Sequence, residues 1–222
     1  MKKINKKLLT PNPYSRPLYI LEEVKGIIVH WVANPGTSAM ANRNYFENRK
    51  YGRILCKLCE KEFYAYEASL NGRWECPGCE SFNLKYLTWK NFVSTHFIIG
   101  LNGEIIQNIP LTEITYHTGK ITNKTTIEKL GKTPNLCTIG IECCHLDMNG
   151  KMNRITYTSL SDLVVFLMKR YNLNVYDNLF LHWHIYGKDC HKWFVENPVE
   201  WDAFKLLIKG KLDPEVYGRK YY

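Results

Sequence analysis

The chain alternates short apolar runs with stretches of helical periodicity. Residues 24–32, "VKGIIVHWV", are a run of β-branched residues closed by "NPG", which predicts a buried strand ending near His30 and then a turn. "TSAMANRNYFENR" follows, with Thr37 or Ser38 as N-cap and Met40, Ala41, Tyr45 and Phe46 as the apolar stripe of a helix. "STHFIIGLNGEIIQNIP" reads as a hairpin whose two apolar stretches join through Asn102 and Gly103 in a type I′ turn. Residues 137–146, "CTIGIECCHL", predict a second buried strand, and it carries Glu142; a carboxylate in such a run is costly unless something uses it. "TYTSLSDLVVFLMKRYNL" predicts a long amphipathic helix, capped near Thr158 or Ser159 and ending at Asn172. "VYDNLFLHWH" predicts a further strand, and "NPVEWDAFKLLIKGK" a last helix opening on Pro198. This order, without strict βαβ repetition, predicts an α/β (mixed α+β) fold: a central mixed β-sheet flanked by helices.

Composition sets the scale. With 222 residues, 45% of them hydrophobic, the chain can bury one good core and not two large ones. Its start, "MKKINKKLLTPNPYSRP", is basic, but no apolar run of signal-peptide length follows before Pro11 and Pro13, and nothing elsewhere approaches a membrane span. The expectation is a protein made and kept in the cytoplasm until it is released, without stable membrane association. In a reducing compartment eight cysteines argue for metal ligands or buried thiols over disulfides. The formal charge of +9 fits an anionic partner, but the lysines and arginines are scattered, as on any solvated surface.

Two stretches carry metal chemistry. Cys56-x2-Cys59, sixteen residues, then Cys76-x2-Cys79 has the spacing of a closed four-thiolate zinc site, which predicts a small zinc-ribbon insertion over residues 52–86; tetrahedral sulfur also suits iron. Phe63, Tyr64, Tyr66 and Trp74 are expected to pack its tiny core. The stretch has as many acidic as basic residues, which makes it a poor phosphate clamp, so no nucleic acid is expected as a partner. The other stretch is "LHWHIYGKDCHK", residues 181–192. His182 and Cys190 are too far apart for one helix face, so a third ligand must come from elsewhere; three ligands plus an open position would make a catalytic zinc. Taken alone, His182 reads as a core or surface histidine before it reads as a ligand. Cys137, Cys143 and Cys144 read as small buried hydrophobes.

"GIIVHWVANPGTSA", "STHFIIGLNGEIIQNIP", "ITYHTGK", "TIGIEC" and "LHWHIYGKDCHK" resemble, in order and spacing, the zinc-dependent N-acetylmuramoyl-L-alanine amidases of the type-2 amidase family. That family includes phage endolysins and is related to the peptidoglycan recognition proteins. The resemblance covers residues 12–205 apart from the insertion. It implies catalytic-zinc ligands at His30, His182 and Cys190, a general base at Glu142, an oxyanion-stabilising Lys188, and His117 contacting substrate or orienting the zinc water. By position, Asn34 and Thr37 lie where a glycopeptide groove should begin. His96 is expected to pack inside the hairpin, with Thr95 before it where several phage members have tyrosine. "CHK" replaces the usual "CPK", and His191 is expected at the surface.

The implied reaction is hydrolysis of the amide between the lactyl group of N-acetylmuramic acid and L-alanine in peptidoglycan, by a phage or prophage endolysin reaching the wall after a holin opens the membrane. The alternatives are a bacterial autolysin, or a recognition module that binds without cleaving, which usually lacks one zinc ligand. Residues 1–222 are expected to form one catalytic domain with no separate C-terminal wall-binding domain, wall affinity coming from the insertion and from attraction to anionic wall polymers.

Overall fold

The computed structural model describes residues 1–119 and 121–215. Its strands in chain order are β1 (Ile4–Lys6), β2 (Gly26–Trp31), β3 (Arg53–Cys56), β4 (Glu62–Tyr64), β5 (Ser69–Asn71), β6 (Arg73–Glu75), β7 (Leu84–Tyr86), β8 (Phe97–Ile99), β9 (Ile105–Gln107), β10 (Thr138–Cys143) and β11 (Leu179–Leu181). Its α-helices are α1 (Ala39–Glu47), α2 (Lys124–Leu130), α3 (Arg154–Tyr171), α4 (Val175–Asn178), α5 (Trp183–Tyr186), α6 (Lys192–Glu196) and α7 (Pro198–Leu212). Six strands form one mixed sheet in the order β1-β9-β8-β10-β2-β11, parallel except for the β8–β9 hairpin. The expected mixed sheet between helices is thus what the chain forms.

Every residue of β2 is buried, as expected for a strand covered on both faces. On one face α3 lays Leu160, Leu163, Val164 and Leu167 against Phe97, Ile139 and Ile141, and α7 closes over α3 with Trp201 and Phe204. Truncating such a residue, Leu163 to alanine for instance, costs about 2–5 kcal/mol. On the other face α1 packs Ala39 and Phe46 near Ile98, Ile106 and Cys144. Register then fixes the chemistry: Glu142 lies beside His30 across the parallel β10–β2 pair, and Leu181 beside Val29 across β11–β2. All three strands deliver these residues at their carboxyl ends, where open α/β sheets place their ligands.

Several local expectations are corrected. The inward face of α1 is Ala39, Asn42 and Phe46, whereas Met40 and Tyr45 are 41% and 54% exposed. Asn42 tolerates the inner face because its amide donates to Thr37 Oγ1 (2.8 Å) and to the Ser38 carbonyl (2.9 Å). The β8–β9 loop is no type I′ turn: only Gly103 has positive φ, and the Gly103 N–H closes a turn onto the Gly100 carbonyl. Helix α3 begins a turn earlier than expected, at Asn153, whose side chain accepts the Thr156 N–H and donates to Leu101 O, satisfying both ends of its amide. Strand β11 keeps only three residues, because Asn174 caps the short α4 before it and the Leu181 N–H turns to His184 Nδ1 after it.

Residues Arg53–Tyr86 form a small body of their own, with β3 between β4 and β7 and a β5–β6 hairpin. Its core holds Ile54, Cys56, Phe63, Ala65 and Cys76 around Tyr14 of the main domain. Phe63 and Trp74 are buried as expected, but Tyr64 and Tyr66 point outward, 41% and 44% exposed. Entry and exit lie side by side: Leu87 N donates to Arg53 O, and Arg53 N to Thr88 Oγ1. Gly52 at the entry admits no side chain, since a Cβ there would stand 2.5 Å from the Tyr14 ring and 2.6 Å from that of Trp89. Among the described residues no helix is long and apolar enough to cross a membrane.

Candidate active site

An open pocket at the carboxyl ends of β2, β10 and β11 is lined by His30, His117, Glu142, His182, Lys188 and Cys190. Its outer wall is Trp31, Val32, Ala33, Asn42, Tyr45, Phe46, Val93 and Ser94. One ligand atom from each of His30, His182 and Cys190 lies within 4.8 Å of the others. His30 and Cys190 are buried at 2% and 4% exposure.

The hydrogen-bond pattern assigns the imidazole tautomers. Thr138 Oγ1 gives its one proton to Pro134 O (2.7 Å), so it must accept from His117 Nε2 (3.0 Å). His117 Nδ1 is therefore an acceptor, and His30 Nε2–H donates to it at 2.9 Å. His30 is left with a lone pair on Nδ1, and that atom faces Cys190 Sγ at 3.6 Å. His182 is set the same way: its Nε2–H donates to Thr118 O at 3.0 Å, freeing Nδ1. Burial, with neighbouring histidines adding to it, holds His30 and His117 well below the usual imidazole range, so both rings are neutral, as metal ligation requires of His30.

These residues fit a zinc ion. Bonds of about 2.05 Å to nitrogen and 2.3 Å to sulfur put tetrahedral N and S ligands about 3.6 Å apart, which is the His30–Cys190 spacing. Burial and the Glu142 carboxyl push the Cys190 thiol up, so a thiolate there needs a cation, and three protein ligands leave one position open.

Glu142 stands at the pocket floor with its Oε2 buried and unpartnered among the described residues. Burial pushes its carboxyl up to about 8, with Lys188 drawing it partly back. Lys188 itself is exposed on the loop before Cys190, facing the opening.

The structure moves three expected roles. His117 borders the pocket, yet both its ring nitrogens are taken by His30 and Thr138, which makes it a support for the His30 ring and leaves it no nitrogen for substrate. Asn34 and Thr37 do not line the pocket: Thr37 Oγ1 donates to Asn34 O at 2.6 Å, closing their turn on itself. The wall expected from them is made by Asn42, Tyr45 and Phe46, one helical turn further on. His191 is fully buried instead of exposed, against Phe194, and burial holds it down to about 3. His96 sits inside as expected, donating to Glu113 O and accepting the Gly140 N–H.

In the insertion, Cys56, Cys59, Cys76 and Cys79 bring their sulfurs within 4.8 Å of one another. The pairs Cys56–Cys79 and Cys59–Cys76 are 3.5 and 3.7 Å apart, against about 3.8 Å for the edge of a zinc–tetrathiolate tetrahedron. Backbone N–H groups of Cys59 and Leu58 pull the Cys56 thiol down to about 6, the turn geometry that shelters a thiolate.

Residues 21–193 match the family model described as N-acetylmuramoyl-L-alanine amidase. The chain belongs to this family. A probable N-acetylmuramoyl-L-alanine amidase of Bacillus licheniformis is 26% identical over 220 residues, 99% of this chain and 49% of that protein. The N-acetylmuramoyl-L-alanine amidase BlyA of Bacillus subtilis strain 168 is 25% identical over 208 residues, 90% of this chain and 45% of that protein. The chain thus spans about half the length of the curated relatives it matches. Among solved structures, a mutant endolysin from Bacillus subtilis has the same fold, with a TM-score of 0.60 at 23% identity over 94% of this chain and 99% of that one.

Proposed function

We propose that the chain hydrolyses the amide joining the lactyl group of N-acetylmuramic acid to the L-alanine of the peptidoglycan stem. The observation that carries this reading is the convergence of His30, His182 and Cys190 with Glu142 and Lys188 around one open pocket. Membership of the amidase family supports it.

His30, His182 and Cys190 would hold a zinc ion, which when bound would supply Lewis acidity toward the scissile carbonyl and toward water. Glu142, whose buried Oε2 has no other partner among the described residues, takes the proton from the attacking water and passes it to the leaving L-alanine nitrogen. Lys188 Nζ, at the exposed edge of the pocket, neutralises charge gathering on the carbonyl oxygen, a contribution of about 3 kcal/mol. Thr138 and His117 hold the His30 ring in the ligating tautomer, and Thr118 does so for His182. A second zinc ion, in the four-cysteine cluster, would hold the insertion folded without taking part in the reaction. The role fits an endolysin kept in the cytoplasm until a holin admits it to the wall.

Purified protein incubated with peptidoglycan, with and without chelator, tests the reading by mass spectrometry of the released termini. New L-alanine amino termini that vanish with chelator are expected, and new reducing sugars overturn it. Glu142→Gln should lower turnover by about 10²–10⁴-fold at unchanged zinc content.

A further inference from the structure

The insertion and the 3-10 helix Asn48–Tyr51 that leads into it turn outward a set of aromatic rings that the insertion's core does not need. Tyr51, Tyr64 and Tyr66 are 53%, 41% and 44% exposed, and all three lie outside the cluster built on Ile54 and Phe63. They touch one another: Tyr51 meets Tyr66 edge-on at 5.9 Å, and Tyr66 lies within 12° of parallel to Tyr64 at 5.6 Å between ring centres. The group is also held firmly. Ala65 N donates to Gly52 O, fixing the turn at Ala65–Glu67 against the end of the 3-10 helix Asn48–Tyr51, and Glu67 caps the Tyr64 N–H at 2.6 Å.

The chain leads from this face to the active-site pocket. The 3-10 helix follows α1 directly, so Tyr51 stands six residues, about 10 Å, beyond Tyr45 on the pocket rim. Arg49, between them in sequence, is buried beneath, its guanidinium 5.0 Å from the Tyr45 ring and 4.6 Å from that of Trp89, and Lys50 Nζ lies 5.1 Å from the Tyr51 ring. A polymer with one unit in the pocket would pass over these rings next.

Charge decides what kind of polymer suits the face. Residues 52–86 carry as many acidic as basic side chains, and two cations beside the rings are paired, Arg53 with Glu62 and Lys50 with Glu47 at 2.7 Å. Little net positive charge is left for a polyanion, whereas flat apolar rings with hydroxyls at their wet ends suit sugar faces. We propose that Tyr51, Tyr64 and Tyr66, with Tyr45 at the pocket rim, form a subsite for the uncharged amino-sugar backbone of the wall polymer. The proposal rests on the amidase reading for the identity of that polymer. It gives the insertion a recognition role and replaces attraction to anionic wall polymers as the origin of its affinity.

The test is a Tyr64→Ala, Tyr66→Ala double variant of the full chain, placed in the Glu142→Gln background for binding and in the wild-type background for turnover. Both tyrosines are exposed, so unchanged zinc content and thermal midpoint should show that the fold is kept. Binding to purified peptidoglycan stripped of anionic polymers is expected to weaken about tenfold or more, with little salt dependence. Cleavage of a soluble disaccharide–stem-peptide unit, too short to reach the insertion, should change less than twofold. Equal binding of variant and parent overturns the proposal. So does a loss confined to walls that retain their anionic polymers and abolished by high salt, which would assign the face to a polyanion. Self-association of the parent that the variant loses, with wall binding intact, would assign it to a second copy. If the wild type cleaves no soluble unit, the amidase reading fails by itself, and the binding comparison still decides the tyrosine face.

Discussion

Thr138→Val tests the tautomer relay where activity need not be measured at all. Valine keeps the shape of threonine but cannot accept from His117 Nε2 or donate to Pro134 O, bonds of 3.0 and 2.7 Å at a fully buried site. Each polar group left unpartnered costs about 1–3 kcal/mol, partly offset because the hydroxyl no longer needs desolvating, so the metal-free protein should lose about 2 kcal/mol of stability. The larger effect is on the ligand. With no acceptor at residue 138 the His117 proton is free to move to Nδ1, and His30 then loses the partner that kept its own proton on Nε2 and its lone pair toward Cys190. Losing such a supporting contact typically weakens metal affinity 10–100-fold, or about 1.4–2.7 kcal/mol. Chelator competition reads this directly, and the four-cysteine cluster, which Thr138 does not touch, is the internal reference: one zinc should leave early while the other leaves as in the wild type. Unchanged release of both ions would refute the relay, as would early release of both together.

Replacing Lys188 by methionine should lower kcat about 10²–10³-fold with zinc content unchanged, measured on a soluble substrate at saturation. Gly140→Ala should destabilise the fold by about 1–3 kcal/mol in denaturant titration and disturb the relay, because the added Cβ would meet His117 Nδ1 at 2.7 Å and Thr95 Oγ1 at 3.0 Å. Glu47 binds Lys50, both the N–H and hydroxyl of Thr10, and Arg43; against the opposing effect of burial, these hold its carboxyl below the usual range. A depressed carboxylate stabilises the fold above its unfolded pKa and loses that contribution as pH falls through the folded value. Thermal unfolding should therefore show wild type ahead of Glu47→Gln near neutrality, and the gap shrinking below about pH 4.

What the sequence made legible was whatever local pattern determines. The two buried strands announced themselves as β-branched runs, and the odd carboxylate in the second was the clue to Glu142. The paired cysteines specified the insertion, and Asn172 and Pro198 marked helix ends where the structure has them. What stayed hidden depends on contacts between distant segments. Asn42 faces inward on α1 because Thr37 and Ser38 satisfy its amide, and no hydrophobic count anticipates that. His191 looked like a surface residue in a charged loop until Phe194 and the helix after it covered it. The role of His117 required knowing that Thr138, on the neighbouring strand, already gives its proton away.

The insertion leaves and rejoins the main body through two adjacent backbone positions, Arg53 and Leu87, joined by a hydrogen bond of 2.8 Å. In backbone terms the segment is a side loop with a narrow neck, seated on the main body through Tyr14, which its core buries. The six-stranded sheet and the pocket at its carboxyl ends are thereby built without any strand from the insertion.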